Sequence, residues 1–149
     1  MPNPRDTVEF DGINAHYVTM KCDGSTIVYD NSKPNGSAQI GLAAAVSADK
    51  TVALTQDGDP VFGKITKVEI GNFCVVQRRG GMKLPGGNGA TLTAGRRVVG
   101  ALGASSARGY IRAVAAATGS YVQGTMQDAL NGRGEIVDAS DPTAVALFL

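Results

Sequence analysis

Tryptophan is absent from the chain, histidine occurs once, cysteine twice, and aromatic residues make up only 5% of the 149 positions. Each scarcity removes a class of mechanism. With His16 as the sole histidine, Ser-His-Asp or Cys-His catalysis would have to run through one residue in a polar N-terminal segment. Cys22 and Cys74 lie far apart in the chain and form no CxxC, so no disulfide framework and no zinc site are predicted, and both thiols are expected to be reduced. Charged residues are 18%, below the roughly 25% usual for soluble domains. A surface this neutral hints that part of it is covered by partners in the working state. No run of about 18 apolar residues occurs. The opening Met1-Pro2-Asn3-Pro4-Arg5-Asp6 has none of the basic-then-apolar character of a signal peptide. The expectation is a soluble chain made in the cytoplasm, with no membrane partner.

Glycine, by contrast, is abundant: 20 residues of 149, about double the ~7% average. Together with 43% hydrophobic residues, this predicts one modest core built from strands and turns, not from long helices. Charge is unevenly spread. Residues 1–60 carry four Lys/Arg and eight Asp/Glu, residues 61–112 nine and one, and residues 113–149 one and four. The central +8 segment reads either as a basic docking surface or as charge neutralised by its neighbours within the fold or across a homo-oligomer interface. Its aromatics are only Phe62, Phe73 and Tyr110, with no zinc-finger or RRM signature, so nucleic acid is not the expected partner.

Residues 1–25 are polar and predict an extended arm or an edge hairpin, with short strands at 8–10 and 16–20 around Asp11-Gly12. Residues 26–149 are expected to form a single β-rich domain. Residues 27–29 read as a strand, 30–37 as an exposed loop, and 40–46 as a buried strand or a short helix. Strands follow at 51–54 and, after the turn at 57–60, at 61–70. The dipeptide Gly71-Asn72 predicts a two-residue hairpin turn into a strand at 73–77 that ends at Gly80-Gly81. A short strand at 82–84, a loop at 85–89 and a strand at 96–102 come next, with Gly100 marking a bulge or a close backbone approach. The one helix signature starts at Ser120, with Gln123 completing a capping box, Val122, Met126, Ala129 and Leu130 on one face, and Gly132 or Gly134 as terminator. After residues 135–138 and a turn at 139–142, the apolar strand 143–149 must be buried, in the core or at a subunit interface. Val145, Leu147, Phe148 and Leu149 are its candidate contacts. The fold class is therefore mainly β: a compact β-sandwich or barrel-like domain of short strands, one short helix and an extended N-terminal arm.

Motif by motif, chemistry is not predicted. Ser47-Ala48-Asp49-Lys50 fits SxxK but lacks the Lys-Thr-Gly and Ser-Asp-Asn that accompany it in serine acyl-transfer enzymes. Gly86-Gly87-Asn88-Gly89 is not followed by the Lys-Ser/Thr of a phosphate loop. Asp57-Gly58-Asp59 opens like a calcium loop, yet Val68 stands where the closing carboxylate belongs. No cofactor and no catalytic residue is expected.

Residues 37–112 contain Ile40-Gly41-Leu42-Ala43, Ser47-Ala48-Asp49-Lys50-Thr51-Val52-Ala53-Leu54, Asp57-Gly58-Asp59-Pro60-Val61-Phe62-Gly63-Lys64, Leu84-Pro85-Gly86-Gly87 and Gly103-Ala104-Ser105-Ser106-Ala107-Arg108-Gly109-Tyr110-Ile111. These phrases resemble the small β-rich decoration, or cement, proteins of tailed-bacteriophage heads. The resemblance covers about half of the chain and excludes the N-terminal 25 residues. It implies a virion protein on the outer capsid surface, synthesised in the host cytoplasm, that bridges neighbouring major capsid protein subunits without catalysis. Such proteins occur as trimers or dimers; a trimer is the first expectation here. Arg78, Arg79, Arg96 and Arg97 are the candidate contacts to acidic capsid surface, against the alternative that they are solvated or paired within the fold. Two other functions compete: another phage structural β-domain, from tail or baseplate, and a small carbohydrate-binding or hydrolytic module.

Overall fold

The computed structural model describes residues 12–116, 119–120, 122–140 and 143–149. It is mainly β, with nine strands and one helix among the described residues. The strands are β1 (His16–Cys22), β2 (Ala43–Ala48), β3 (Thr51–Leu54), β4 (Gly63–Glu69), β5 (Phe73–Pro85), β6 (Val98–Ala101), β7 (Tyr110–Ala113), β8 (Glu135–Ser140) and β9 (Thr143–Phe148); α1 spans Gln123–Asn131. Seven strands form one sheet in the order β1-β3-β2-β4-β5-β9-β8, and β1 also pairs with β5. That extra pairing closes β1, β3, β2, β4 and the first half of β5 into a five-stranded barrel. The second half of β5 leaves the barrel and carries β9 and β8, while β6 and β7 form a separate antiparallel ribbon.

The barrel is sealed by β1, which runs parallel to β3 at Lys21–Thr51 and Cys22–Val52 and antiparallel to β5 from His16 to Lys21. Part of the segment predicted as arm or edge hairpin is thus a barrel strand bonded on both sides; the strand predicted at 8–10 lies outside the described residues. Residues 27–29 are not a strand, because the chain turns at once after β1. The Asp23 carboxylate accepts from the backbone N–H groups of Thr26 and Ile27 (both 3.0 Å) and from the Ser25 and Thr26 hydroxyls (both 2.8 Å). The Thr26 hydroxyl in turn accepts from the Leu54 N–H at 2.9 Å. This turn swings Ile27 into the end of the barrel, where it is fully buried with Val52, Ile65, Val68, Cys74 and Val76.

Local irregularities set which side chains face inward. A bulge between Ile65 and Lys67 lets Ile65 and Val68, three apart, both point into the core. Glu69 pairs with Phe73, so the hairpin loop is three residues, 70–72, and not the two-residue turn expected; Gly71 and Asn72 both take positive φ. Gly80-Gly81 does not end β5 but bends it. Gly80 sits at φ +92, and a Cβ there would fall 2.3 Å from the Ile13 carbonyl oxygen. The Gln77 side-chain amide spans the bend, donating to the carbonyls of Arg79 (3.2 Å) and Gly81 (2.9 Å).

Beyond the bend lies a second core: Val61, Met82, Leu84, Val98, Ile111, Ile136, Ala144, Ala146 and Phe148. Gly100 is a close approach, as expected, with a would-be Cβ 2.2 Å from the Gln56 carbonyl. The strand predicted at 96–102 is shorter, because Arg96 and Arg97 use their carbonyls elsewhere: they accept from Ile136 (2.8 Å) and Val114 (2.9 Å). The first of these bonds, with Gly95 N–H to the Ile136 carbonyl at 2.8 Å, covers the outer edge of β8. Strand β9 runs between β5 and β8 and buries Val145 and Phe148. Leu147 is only half-buried and Leu149 is 93% exposed, so the predicted burial of the whole run stops short of its last residue.

Candidate functional site

The helix contradicts its predicted orientation. Its N-cap position is Val122, with no side-chain cap, so the Ser120–Gln123 capping box does not form; Gly132 ends it as expected. Val122 is 52% exposed, Met126 46% and Leu130 74%. The residues predicted to face the core form a stripe at i, i+4 and i+8 on the outside. The buried side chain of the helix is Asp128.

Asp128 explains the inversion. The Arg112 guanidinium on β7 grips its carboxylate with both terminal nitrogens, Nη1 to Oδ2 and Nη2 to Oδ1, the latter at 2.9 Å. Arg112 Nε donates to Asp57 Oδ1 at 2.8 Å, and Asn131 Nδ2 donates to the Gly58 carbonyl at 2.9 Å. A forked guanidinium–carboxylate pair is directional and stronger than a neutral hydrogen bond, so it overrides the weak amphipathic preference of a nine-residue helix. Hydrogen bonding from Arg112 holds the Asp128 carboxyl below the usual carboxylate range against the opposing effect of burial, and the Asp128 bond raises the Arg112 guanidinium in turn. Both groups stay ionised across neutral pH. The cluster fastens the helix to β7 and to the turn at Asp57-Gly58, and neither partner is poised to exchange a proton.

The four arginines singled out in the sequence are not one patch. Arg78 is half-buried, with its guanidinium carbon 4.9 Å from the centre of the Phe62 ring, a cation–π contact within the barrel half. Arg79 is exposed on β5 opposite His16. Arg96 and Arg97 are exposed ahead of β6, in the other half of the molecule. Arg96 lines a shallow depression of about 410 Å³ with Thr91, Thr93 and Arg112. Arg97 lines another, of about 390 Å³, with Arg133, Glu135, Leu147 and Leu149. Among the described residues Arg79, Arg96 and Arg97 form no salt bridge.

Arg133 was missed by the sequence reading, which followed the net charge of whole segments. It is the one basic residue of 113–149, and its position directly after a predicted helix terminator is the signal that would have found it. Its Nη1 donates to the carbonyls of Leu130 (2.9 Å) and Gly132 (3.0 Å). Cys22 and Cys74 are free, buried thiols on neighbouring barrel strands; burial raises both, and for Cys74 the hydrogen bond with Cys22 raises it further. No cluster of three or more His, Cys, Asp or Glu suited to a metal occurs among the described residues. Nor is any described helix long and apolar enough to cross a membrane. Comparison with protein-family models, with curated proteins and with solved structures returned no match.

Proposed function

We propose that this chain is a structural, non-catalytic virion protein that decorates the outer surface of a phage capsid and bridges neighbouring major capsid protein subunits. The observation that carries the reading is the inverted helix: α1 is locked by the Arg112–Asp128 pair while its apolar stripe of Val122, Met126 and Leu130 is left outside. A stripe that contributes nothing to its own core is surface built to be covered. The low overall charge and the unneutralised Arg96 and Arg97 support a protein partner with acidic character. Many copies, each burying a modest area as a trimer or dimer on a repeating lattice, would hold by avidity.

The test is co-sedimentation of the purified protein with undecorated expanded heads of the virus that encodes it, over a salt series. Saturable binding at a fixed ratio to capsid subunits is the expected result. Absence from heads together with recovery on isolated tails would replace the reading by a tail or baseplate role.

A further inference from the structure

We infer that α1 and the Arg97–Arg133 depression at its C-terminal end form one docking surface for a partner-protein segment that presents apolar side chains followed by carboxylates. This deepens the capsid reading and rests on it for the partner's identity, though not for its chemistry.

The two parts are contiguous. Val122, Met126 and Leu130 lie along one line of the helix, about 12 Å long at 1.5 Å per residue. The stripe leads to Arg133, whose guanidinium is held against the last turn by the carbonyls of Leu130 and Gly132. Arg97 packs there too: a Cβ on Gly132 would stand 3.2 Å from the Arg97 Cβ. Leu147 and Leu149 continue the apolar lining into the depression. Glu135 is the one acidic group among its lining residues, against two guanidinium groups, so a positive excess remains.

Charge complementarity selects the occupant. Along α1 the one ionisable side chain is Asp128, which is buried and paired, so the stripe asks for apolar groups and the helix end asks for an anion. A nucleic acid would want cations along the groove and aromatic stacking platforms, and the helix offers Gln123, Thr125, Gln127 and Asn131 instead. A membrane-surface helix carries Lys or Arg along its polar face, which α1 does not. A protein segment with leucine-like side chains and a terminal cluster of Asp or Glu fits both parts.

Three double variants test this on the full chain: Met126→Gln with Leu130→Gln, Arg97→Glu with Arg133→Glu, and, as a control of equal charge change on the barrel half, Lys21→Glu with Lys50→Glu. In co-sedimentation with heads, the first two should each weaken binding at least about tenfold, and the control should stay within about twofold. Heads that bind wild type and all three variants equally would overturn the docking surface and leave the capsid reading standing. If wild type does not bind heads, the capsid reading fails and the surface is judged by amide chemical-shift mapping with synthetic peptides. A soluble peptide with a leucine segment followed by glutamates should shift α1 and residues 130–135, and a matched peptide with lysines should not. Equal shifts with both, no shift with either, or stronger binding to phosphatidylglycerol vesicles would each overturn the proposal. So would concentration-dependent self-association abolished by the Met126/Leu130 variant, which would make a second copy the occupant.

Discussion

The two halves of the molecule share one strand and solve the edge problem in opposite ways. In the barrel half, β1 returns to pair with both β3 and β5, so the hydrogen-bond ladder closes on itself. In the other half the sheet ends at β8, whose edge is covered by backbone from residues 95–96, and the helix is held by an ion pair. Closure makes the first half self-sufficient, and the second half carries the exposed apolar stripe and the Arg97–Arg133 depression. An unmatched β-sheet edge invites association, and burying polar fastenings costs less where a partner later excludes water.

The largest effect is expected where the halves join. Gly80→Ala would put a methyl group 2.3 Å from the Ile13 carbonyl, 2.6 Å from the Asn14 carbonyl, and at a φ of +92. Neither backbone can yield without breaking the Gly12 and Gly81 hydrogen bonds that pin the chain ahead of β1 to β5. A loss of about 3 kcal/mol or more in denaturant unfolding is expected, with both halves affected. Next come the two cores. Ile65→Ala and Ile136→Ala each remove a fully buried side chain and should each cost about 2–5 kcal/mol. Amide exchange separates them: Ile65→Ala should deprotect strands in both halves, Ile136→Ala mainly β8, β9 and α1. Equal deprotection everywhere would show that the halves unfold as one unit.

A smaller loss, about 2 kcal/mol, is expected for Asp128→Asn, which leaves Arg112 paired only with Asp57. Exchange should quicken in α1 and leave β1–β4 unchanged. Acid probes both halves with a sign that can be stated. Asp128 and Asp23 both have folded pKa values below the unfolded value of about 3.9. For Asp23 the lowering comes from the Thr26, Ile27 and Ser25 donors, which outweigh its partial burial. Their contribution is therefore fully present above pH ~4 and lost as the pH falls through the folded values. The stability gap between wild type and Asp23→Asn should narrow in denaturant titrations between pH 7 and pH 3, and an unchanged gap would remove Asp23 from the barrel's fastenings.

Much of the barrel was legible because its signals are local. Thr51 to Leu54, Gly63 to Glu69 and the strand entering at Phe73 alternate or cluster β-branched residues between turn formers, and they form the strands expected. The failures share one cause. Gly80-Gly81 reads as a terminator from sequence, but the neighbouring Ile13 and Asn14 carbonyls decide that it is a bend. Residues 27–29 have strand propensity, and Asp23 spends their backbone donors on a turn. The candidate arginines cluster in sequence, yet β5 and the segment before β6 carry them to different halves. Long-range partners set these outcomes, and a local pattern holds no record of them.

The helix shows this most sharply, and it supplies the smallest predicted effect. Its periodicity marks an apolar face, and an apolar face is ordinarily read as the core face. Here Arg112, arriving from β7, offers Asp128 two charge-assisted hydrogen bonds, and the helix rolls to accept them. If that account is right, replacing Met126 and Leu130 with glutamine should leave stability within about 0.5 kcal/mol of wild type, because 46% and 74% of those residues already face water. A loss near the 2–5 kcal/mol typical of core truncations would mean that the stripe packs on the fold after all. Unchanged stability together with weakened head binding would separate the two roles of one helix: Asp128 holds it in place, and the opposite face is free to dock.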